Sequence, residues 1–432
     1  MSERLKAPKG THDLLPPDSE KFAAVESRAR EIFGSYGYAE IRTPIFESTE
    51  LFARSVGETT DIVHKEMYTF TDRKGRSLTL RPENTAGVVR ALVERGIQEM
   101  PKPIRLWYHG PQFRYEQPQA GRYREFRQIG VELLGVPSAE GDAEVLEMLF
   151  KFLRALGLTD LVAVLNCIPK GAARQAFSRA VFEHVRPHSA RLGAEDRKRL
   201  EENPLRLFDS KDPELIRILG NAPKTLDFLD PASREHHDEL KRLLPTGLVP
   251  FRESASVVRG LDYYTLTVFE VVSERLGAQN AILGGGRYDD LVADLGGPPT
   301  AAVGFAIGED RLVEVMTTDA RPERPVYFVV PDSRYDFAYA LGVANEIRAS
   351  LPDAVVETDF NGRGIVKGLS RAGTVATQPS KSAFRPKGVR AVLLGQKERE
   401  ANTVTLKDLS TGAQQTVPRT ALPEVLGAAR ER

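Results

Sequence analysis

Two stretches of this chain carry residue types suited to holding an anion beside a small polar molecule. The first is Arg259-Gly260-Leu261-Asp262-Tyr263-Tyr264, which runs into the strand-like Thr265-Leu266-Thr267-Val268-Phe269-Glu270. A permanently charged guanidinium, a glycine and two adjacent phenols make poor core material and a good floor for a charged substrate. The second is a long alternating hairpin from Ile104 to Leu134. With a strand's period of two, Arg124, Phe126, Gln128, Gly130 and Glu132 share one face of its return strand, and Ile129, Val131 and Leu133 share the other. One face is aliphatic; the opposite one offers a cation, a ring, an amide, a gap and a carboxylate. A merely solvated face is the alternative for a single strand. Gln112, Arg114 and Glu116 line up on the outgoing strand, which sets Arg114 across from the Phe126 row and weighs against that alternative. Gly130 is expected to leave room for a ligand against the backbone.

Three further segments have chemical potential. Arg81-Pro82-Glu83-Asn84-Thr85 places a carboxylate beside a hydroxyl, although the same residues suit a helix start with a capping hydroxyl. Gly284-Gly285-Gly286-Arg287-Tyr288-Asp289 allows close approach of backbone to a phosphate or substrate, though glycine runs are often just turns. Gly304-Phe305-Ala306-Ile307-Gly308-Glu309-Asp310-Arg311-Leu312 reads as a strand entering a helix, with Arg311 in the first turn, where anions are favoured. No protein-bound metal is expected. His184 and His188 have ligand-like spacing, but Pro187 breaks the helix that would align them. His236-His237 are expected to face solvent, and His12, His64 and His109 have no Cys or His companions.

These segments need a scaffold. An amphipathic helix is predicted over Ser19 to Tyr36, then a short strand from Ala39 to Arg42 and a hairpin with Tyr68, Phe70, Leu78 and Leu80 around a turn at 73–76. A helix follows from about Ala86. After the long hairpin, Gly141-Asp142 reads as a cap for an apolar helix over Ala143 to Leu156, and Leu161 to Asn166 as a buried strand. Residues 171–244 are helical and charge-rich in pattern, as in an inserted module. Strand character returns at Ser256. Arg321 to Pro325 reads as a linker, followed by alternating elements: strands at Val326 to Val330, Val355-Val356, Val389 to Leu394 and Thr403 to Leu406, and a helix at Tyr335 to Ser350. This alternation predicts a small separate α/β domain.

At 432 residues, two or three domains are expected. The chain has no apolar run near membrane-span length and no signal sequence, so a cytoplasmic protein is expected. A lone Cys167 excludes an internal disulfide framework. The 60 basic and 60 acidic residues cancel overall. Their distribution is uneven: from Arg321 to Arg432 there are 17 Lys/Arg against 12 Asp/Glu, a surplus of 5. Between Phe360 and Lys397 eight residues are basic and none acidic, a pattern that fits either a polyanion footprint or an ordinary solvated loop.

The Arg259 to Tyr264 string resembles the signature of histidyl-tRNA synthetases. The long hairpin is similar to motif 2 of the class II aminoacyl-tRNA synthetases, the stretch ending at Pro44 to motif 1, the segment around Arg311 to motif 3, and the glycine run to a second histidine-specific motif. Lys9 to Asp13 and Gly57 to Val63 also look like family sequence. The resemblance implies an α+β fold: an antiparallel-sheet catalytic domain at 1–170 and 245–320, a helical insertion at 171–244, and a C-terminal α/β anticodon-binding domain at 326–432. It implies ATP-dependent activation of L-histidine and transfer to tRNA(His) by a cytoplasmic homodimer, with Mg2+ on the ATP phosphates. It further implies that Arg259 and Arg114 act on the α-phosphate, and that Phe126 stacks on adenine. Arg311 would cover the adenine and reach the γ-phosphate. Glu83, Asn84 and Thr85 would hold the amino group, and Gln128, Glu132, Tyr263, Tyr264 and Tyr288 the rest of histidine. Glu132 and Tyr264 would bond the two imidazole nitrogens. Gln119, Arg122 and Arg124 would meet the acceptor end of tRNA. Leu266 stands where the family has glycine, Ala301 where it has proline, Glu309-Asp310 where it has Leu-Glu, and Gln117 where it often has arginine. The regulatory subunit of ATP phosphoribosyltransferase shares the catalytic fold but typically lacks the extra domain and parts of the site. An RNA-binding or signalling protein on the same scaffold is a second rival, and the intact phosphate arginines count against it.

Overall fold

The computed structural model describes residues 5–57, 60, 62–116, 123–210, 212–255, 257, 263–273, 281–318, 321–377 and 384–428. These fall into two compact units, one from residues 1–13 and 25–318, the other from 14–24 and 319–432.

Helix α1 (Asp18–Ser35) buries Val25, Ala29, Ile32 and Phe33 on one stripe and gives way at Gly37, whose left-handed backbone ends it. Strands β1 (Ala39–Glu40) and β2 (Phe46–Ser48) lead to α2 (Thr49–Val56), a π-helical turn (Ile62–Glu66), and the hairpin β3 (Tyr68–Thr71) and β4 (Ser77–Leu80). The carboxylate of Asp72 closes that hairpin by accepting from the amides of Lys74 and Arg76, each at 2.9 Å. Helix α3 (Thr85–Glu94) precedes the long hairpin β5 (Ile104–Phe113) and β6 (Glu125–Leu134), paired over its whole length as the alternation requires.

Then come α4 (Ala139–Ala155), β7 (Leu161–Ile168), helices α5 (Gly171–Val185), α6 (Ala194–Glu202), α7 (Pro213–Leu219) and α8 (Pro231–Leu243), strands β8 (Phe251–Glu253), β9 (Thr265–Ser273) and β10 (Ala281–Arg287), the short helix α9 (Leu291–Asp294), β11 (Ala302–Gly308) and α10 (Glu309–Val315). Eight strands form one sheet in the order β1-β5-β6-β11-β10-β9-β7-β8. It is antiparallel except where β1 meets β5 and β7 meets β8. One face of this sheet, with Ile129, Val131 and Leu133, packs on α1 and α4 in the largest core. The other face carries the polar residues. Phe177, Val181, Leu200 and Leu215 build a separate apolar cluster in the helical segment, whereas Leu240 and Leu244 at its end belong to the large core.

Two sequence expectations change here. Gly141 and Asp142 do not cap α4; they lie in its first turn, and Asp142 is fully buried. Arg321 to Pro325 is not purely a linker, because strand β12 (Glu323–Pro331) already includes Glu323 to Pro325.

In the second unit β12 is followed by α11 (Phe337–Ser350), β13 (Val355–Thr358), α12 (Ile365–Thr377), β14 (Arg385–Leu394), α13 (Gln396–Ala401), β15 (Thr403–Asp408), β16 (Gln414–Pro418) and α14 (Leu422–Ala428). Its sheet runs β13-β12-β14-β15-β16, parallel for the first three strands and antiparallel beyond. The basic stretch becomes α12 and β14. Three of its cations pair with acids from elsewhere in the unit: Arg371 with Asp359, Arg385 with Glu323 and Arg390 with Asp408.

Candidate active site

Glu132 on β6 is the centre of the polar face. It is 1% exposed and ringed by hydroxyls: Thr85 Oγ1 donates to its Oε1 at 2.8 Å, Tyr108 donates to the same oxygen at 3.3 Å, and Tyr288 donates to Oε2. Burial, against those hydrogen bonds, pushes its pKa up to about 8. The phenols of Tyr108, Tyr263 and Tyr288 are likewise driven well above their ordinary value, first by burial and then by Glu132 or, for Tyr263, by the Tyr264 phenol, so they remain donors. Gly304 on β11 is required here, because a Cβ would stand 2.1 Å from Glu132 Oε2.

The gap at Gly130 is real but occupied by the protein. Tyr108, its partner across the hairpin, fills it: a Cβ on Gly130 would lie 2.4 Å from the phenol oxygen. The glycine run behaves similarly. Residues 284–286 form part of strand β10 rather than a turn, and a Cβ at Gly286 would meet the Tyr264 ring at 2.9 Å. Gly130 and Gly286 thus admit tyrosines, whereas Gly285 makes room for the Phe269 ring and the Gly304 carbonyl.

The rings of Tyr263 and Tyr264 are 4.8 Å apart, and Tyr263 meets Tyr288 edge-on at 5.7 Å. The chain reaches this arrangement through an irregularity between β9 and β10, where Leu266 adopts a left-handed backbone with φ +50°. Glycine would adopt that conformation without strain, which accounts for the glycine expected at this position and not for the leucine that stands there.

Glu83 is buried and accepts from the amides of Thr85 at 2.7 Å and Ala86 at 2.9 Å, so a carboxylate caps α3 where a hydroxyl was the alternative. Burial raises its pKa, and Arg114 is among the groups that oppose the rise. Asn84 turns its amide oxygen to Thr43 and Arg81. Arg114 donates from Nε to the carbonyl of Pro82 at 2.9 Å and stands 5.3 Å from the centre of the Phe126 ring, as the shared face predicted. Gln128 shares that face, and its Oε1 is buried without a hydrogen-bond partner among the described residues. Arg124 folds over the Tyr115 ring at 3.9 Å and donates to the carbonyl of Glu116. Arg311 lies 3.4 Å from Glu314 on α10, and Asp310 anchors that helix by accepting from the Arg127 amide at 2.8 Å. Arg259, Gln119 and Arg122 lie outside the described residues.

Two histidines expected in solvent turn inward: His237 is buried and bonds to Glu253, and His236 is part-buried and bonds to Asp142, because α8 turns this side toward the sheet. Tyr108 was missed in the sequence, although its parity with Gln112 and Arg114 marks it as facing the same way. Among the described residues, no group of three or more His, Cys, Asp or Glu is placed to hold a metal ion.

The sequence model of histidyl-tRNA synthetases matches residues 10–183 and 230–312. A histidine–tRNA ligase of Halorhodospira halophila is 44% identical over 415 residues, 95% of each chain. Another, from Synechococcus elongatus, is 43% identical over 420 residues, 97% of this chain and 94% of the relative. The crystal structure of apo S. aureus histidyl-tRNA synthetase superposes with a TM-score of 0.79 at 34% identity, covering 98% of this chain and 99% of that one. The chain belongs to the histidyl-tRNA synthetase family. Residues 184–229, which the match to histidyl-tRNA synthetases skips, include much of the separate helical cluster.

Proposed function

We propose that the chain is a histidine–tRNA ligase: it activates L-histidine with ATP to histidyl-adenylate, releasing pyrophosphate, and transfers histidine to the 3′ end of tRNA(His). The observation that carries this reading is the buried carboxyl of Glu132, ringed by Thr85, Tyr108 and Tyr288, on the same hairpin face as Arg114 and Phe126. A neutral or ionised carboxyl among phenol donors is suited to an imidazole, whose nitrogens exchange donor and acceptor roles.

In activation, a carboxylate oxygen of histidine attacks the α-phosphorus and the bond to pyrophosphate breaks. The protein must align two anions and stabilise charge on the α-phosphoryl oxygens. Arg114 and Arg259 do this without proton transfer, with Arg311 further out and Phe126 against adenine. Glu83, Asn84 and Thr85 take the amino end of histidine; Gln128, Glu132, Tyr263, Tyr264 and Tyr288 take the rest. For Glu83 this means exchanging or sharing a helix cap. Mg2+ belongs on the β- and γ-phosphates, whose oxygens it prefers. Gln119, Arg122 and Arg124 meet the acceptor end.

We assign residues 1–170 and 245–320 to the catalytic domain, 171–244 to the insertion and 326–432 to anticodon binding, in a cytoplasmic homodimer. Among the described residues no helix is long and apolar enough to cross a membrane. The test is charging of tRNA(His) with labelled histidine. A base-labile ester at the 3′ terminus, dependent on ATP, is expected; no charging by folded protein would overturn the reading.

A further inference from the structure

Next to Tyr288 lies a second polar cluster that the activation step does not use. Arg287 on β10 is fully buried, and each of its five N–H donors has an acceptor. Nε and Nη2 bind the two oxygens of Asp142 at 3.3 and 2.7 Å. Nη1 serves the carbonyl of Val136 at 2.9 Å and Asp289 Oδ1 at 3.2 Å, and Nη2 also serves the carbonyl of Ser138 at 3.1 Å. Asp142, equally buried, accepts from His236 Nε2 at 2.9 Å. Burial alone would raise its pKa, but Arg287 and His236 outweigh that and hold it below the ordinary carboxylate range. Asp289 accepts from the Ala302 amide at 3.1 Å, and its other oxygen pairs with Lys170.

The two ends of this relay stand at the two attachments of the helical segment. Lys170 immediately precedes α5, where the chain leaves the sheet after β7. His236 lies on α8, which brings the chain back. Tyr288 sits between Arg287 and Asp289 in the chain, so its backbone is fixed from both sides. A buried ion-pair network adds little net stability over an apolar core, but it does specify geometry.

We propose that Lys170 and His236 are positioning residues for histidine binding: through Asp289, Arg287 and Asp142 they hold Tyr288 where its hydroxyl meets Glu132, so the attachments of the helical segment set the shape of the amino-acid pocket. The proposal rests on the reading of Glu132 and Tyr288 as histidine-binding residues. The Lys170 side chain is 32% exposed, so its removal should leave the fold intact.

The experiment measures histidine affinity by calorimetry and histidine and ATP KM by pyrophosphate exchange. The proteins are wild type, Lys170→Met, Lys170→Arg and His236→Gln, and the Met and Gln changes are also combined with Tyr288→Phe. Lys170→Met and His236→Gln should each raise histidine KM about tenfold, with kcat and ATP KM held within about twofold. Lys170→Arg should restore affinity. Beside Tyr288→Phe the increments should vanish, because the contact they act through is gone. A purely structural role predicts a lower melting temperature with histidine KM unmoved, the behaviour expected of Leu240→Ala in the same helix. Unmoved histidine KM in folded Lys170→Met, or increments that persist in full beside Tyr288→Phe, would overturn the relay. Wild-type protein that binds no histidine would instead overturn the reading of the pocket, and the proposal with it.

Discussion

Glu132 and Arg114 lie on the two arms of one hairpin, yet they are held in opposite ways. Glu132 is enclosed and takes hydrogen bonds from three hydroxyls, each on a different element: α3, β5 and the turn after β10. Arg114 is half-buried, and among the described residues it donates to the Pro82 carbonyl, stands beside the Phe126 ring and acts on the Glu83 carboxyl. Arg311 lies in the first turn of the short helix α10, which follows β11. In the proposed reading the amino-acid side is built into the sheet, whereas the phosphate side rests on permanently charged guanidiniums. The difference follows from what each part must recognise. Reading an imidazole takes donors and acceptors fixed in a low dielectric before the ligand arrives. Stabilising a phosphoryl group takes permanent charge that settles around the nucleotide.

Changes on the two sides should therefore fail differently. The largest effect is expected for Arg259→Ala: histidine-dependent exchange should fall about a thousandfold while calorimetric histidine affinity stays near wild type. Equal losses in both would merge the two sides. Glu132→Gln should lower kcat/KM for histidine roughly a hundredfold with ATP KM unchanged, and a matching rise in ATP KM would contradict the division. For Arg311→Ala the expected change is smaller, about a tenfold rise in ATP KM with histidine KM constant, read from the same exchange assay.

The gentlest probe is pH. The Glu132 carboxyl is raised from 4.5 to about 8, so between those values the folded chain keeps a proton that the unfolded chain releases. The contribution of Glu132 to stability should decline as pH rises through that window. Glutamine does not titrate, so the melting temperature of Glu132→Gln should gain on wild type from pH 5 to pH 8. Parallel curves would show that the carboxyl is not buried as described.

Much of the polar face was legible because it rests on local periodicity. Alternation along 124–132 separated Ile129, Val131 and Leu133 from Phe126, Gln128 and Glu132, and the structure keeps that separation. What fills the spaces was not legible. Gly130 read as room for a ligand because its occupant, Tyr108, is set by the hairpin register, and the gap at Gly286 is closed by Tyr264. The pairing of Arg287 with Asp142 joins residues far apart in the chain, and nothing local marks either as a partner. His236 and His237 misled because a charge-rich helix suggests solvent, whereas the stripe holding His237 and Leu240 faces inward. Leu266 is a case in which the departure itself was visible and its consequence, a left-handed residue in a strand, needed coordinates.

The most direct test of a pocket built to read an imidazole is exchange of labelled pyrophosphate into ATP with each standard amino acid in turn. Histidine should support exchange, and phenylalanine, tyrosine and glutamine should fall short of it by about four orders of magnitude in kcat/KM. Comparable exchange with any of those three, or none with histidine, would contradict the account.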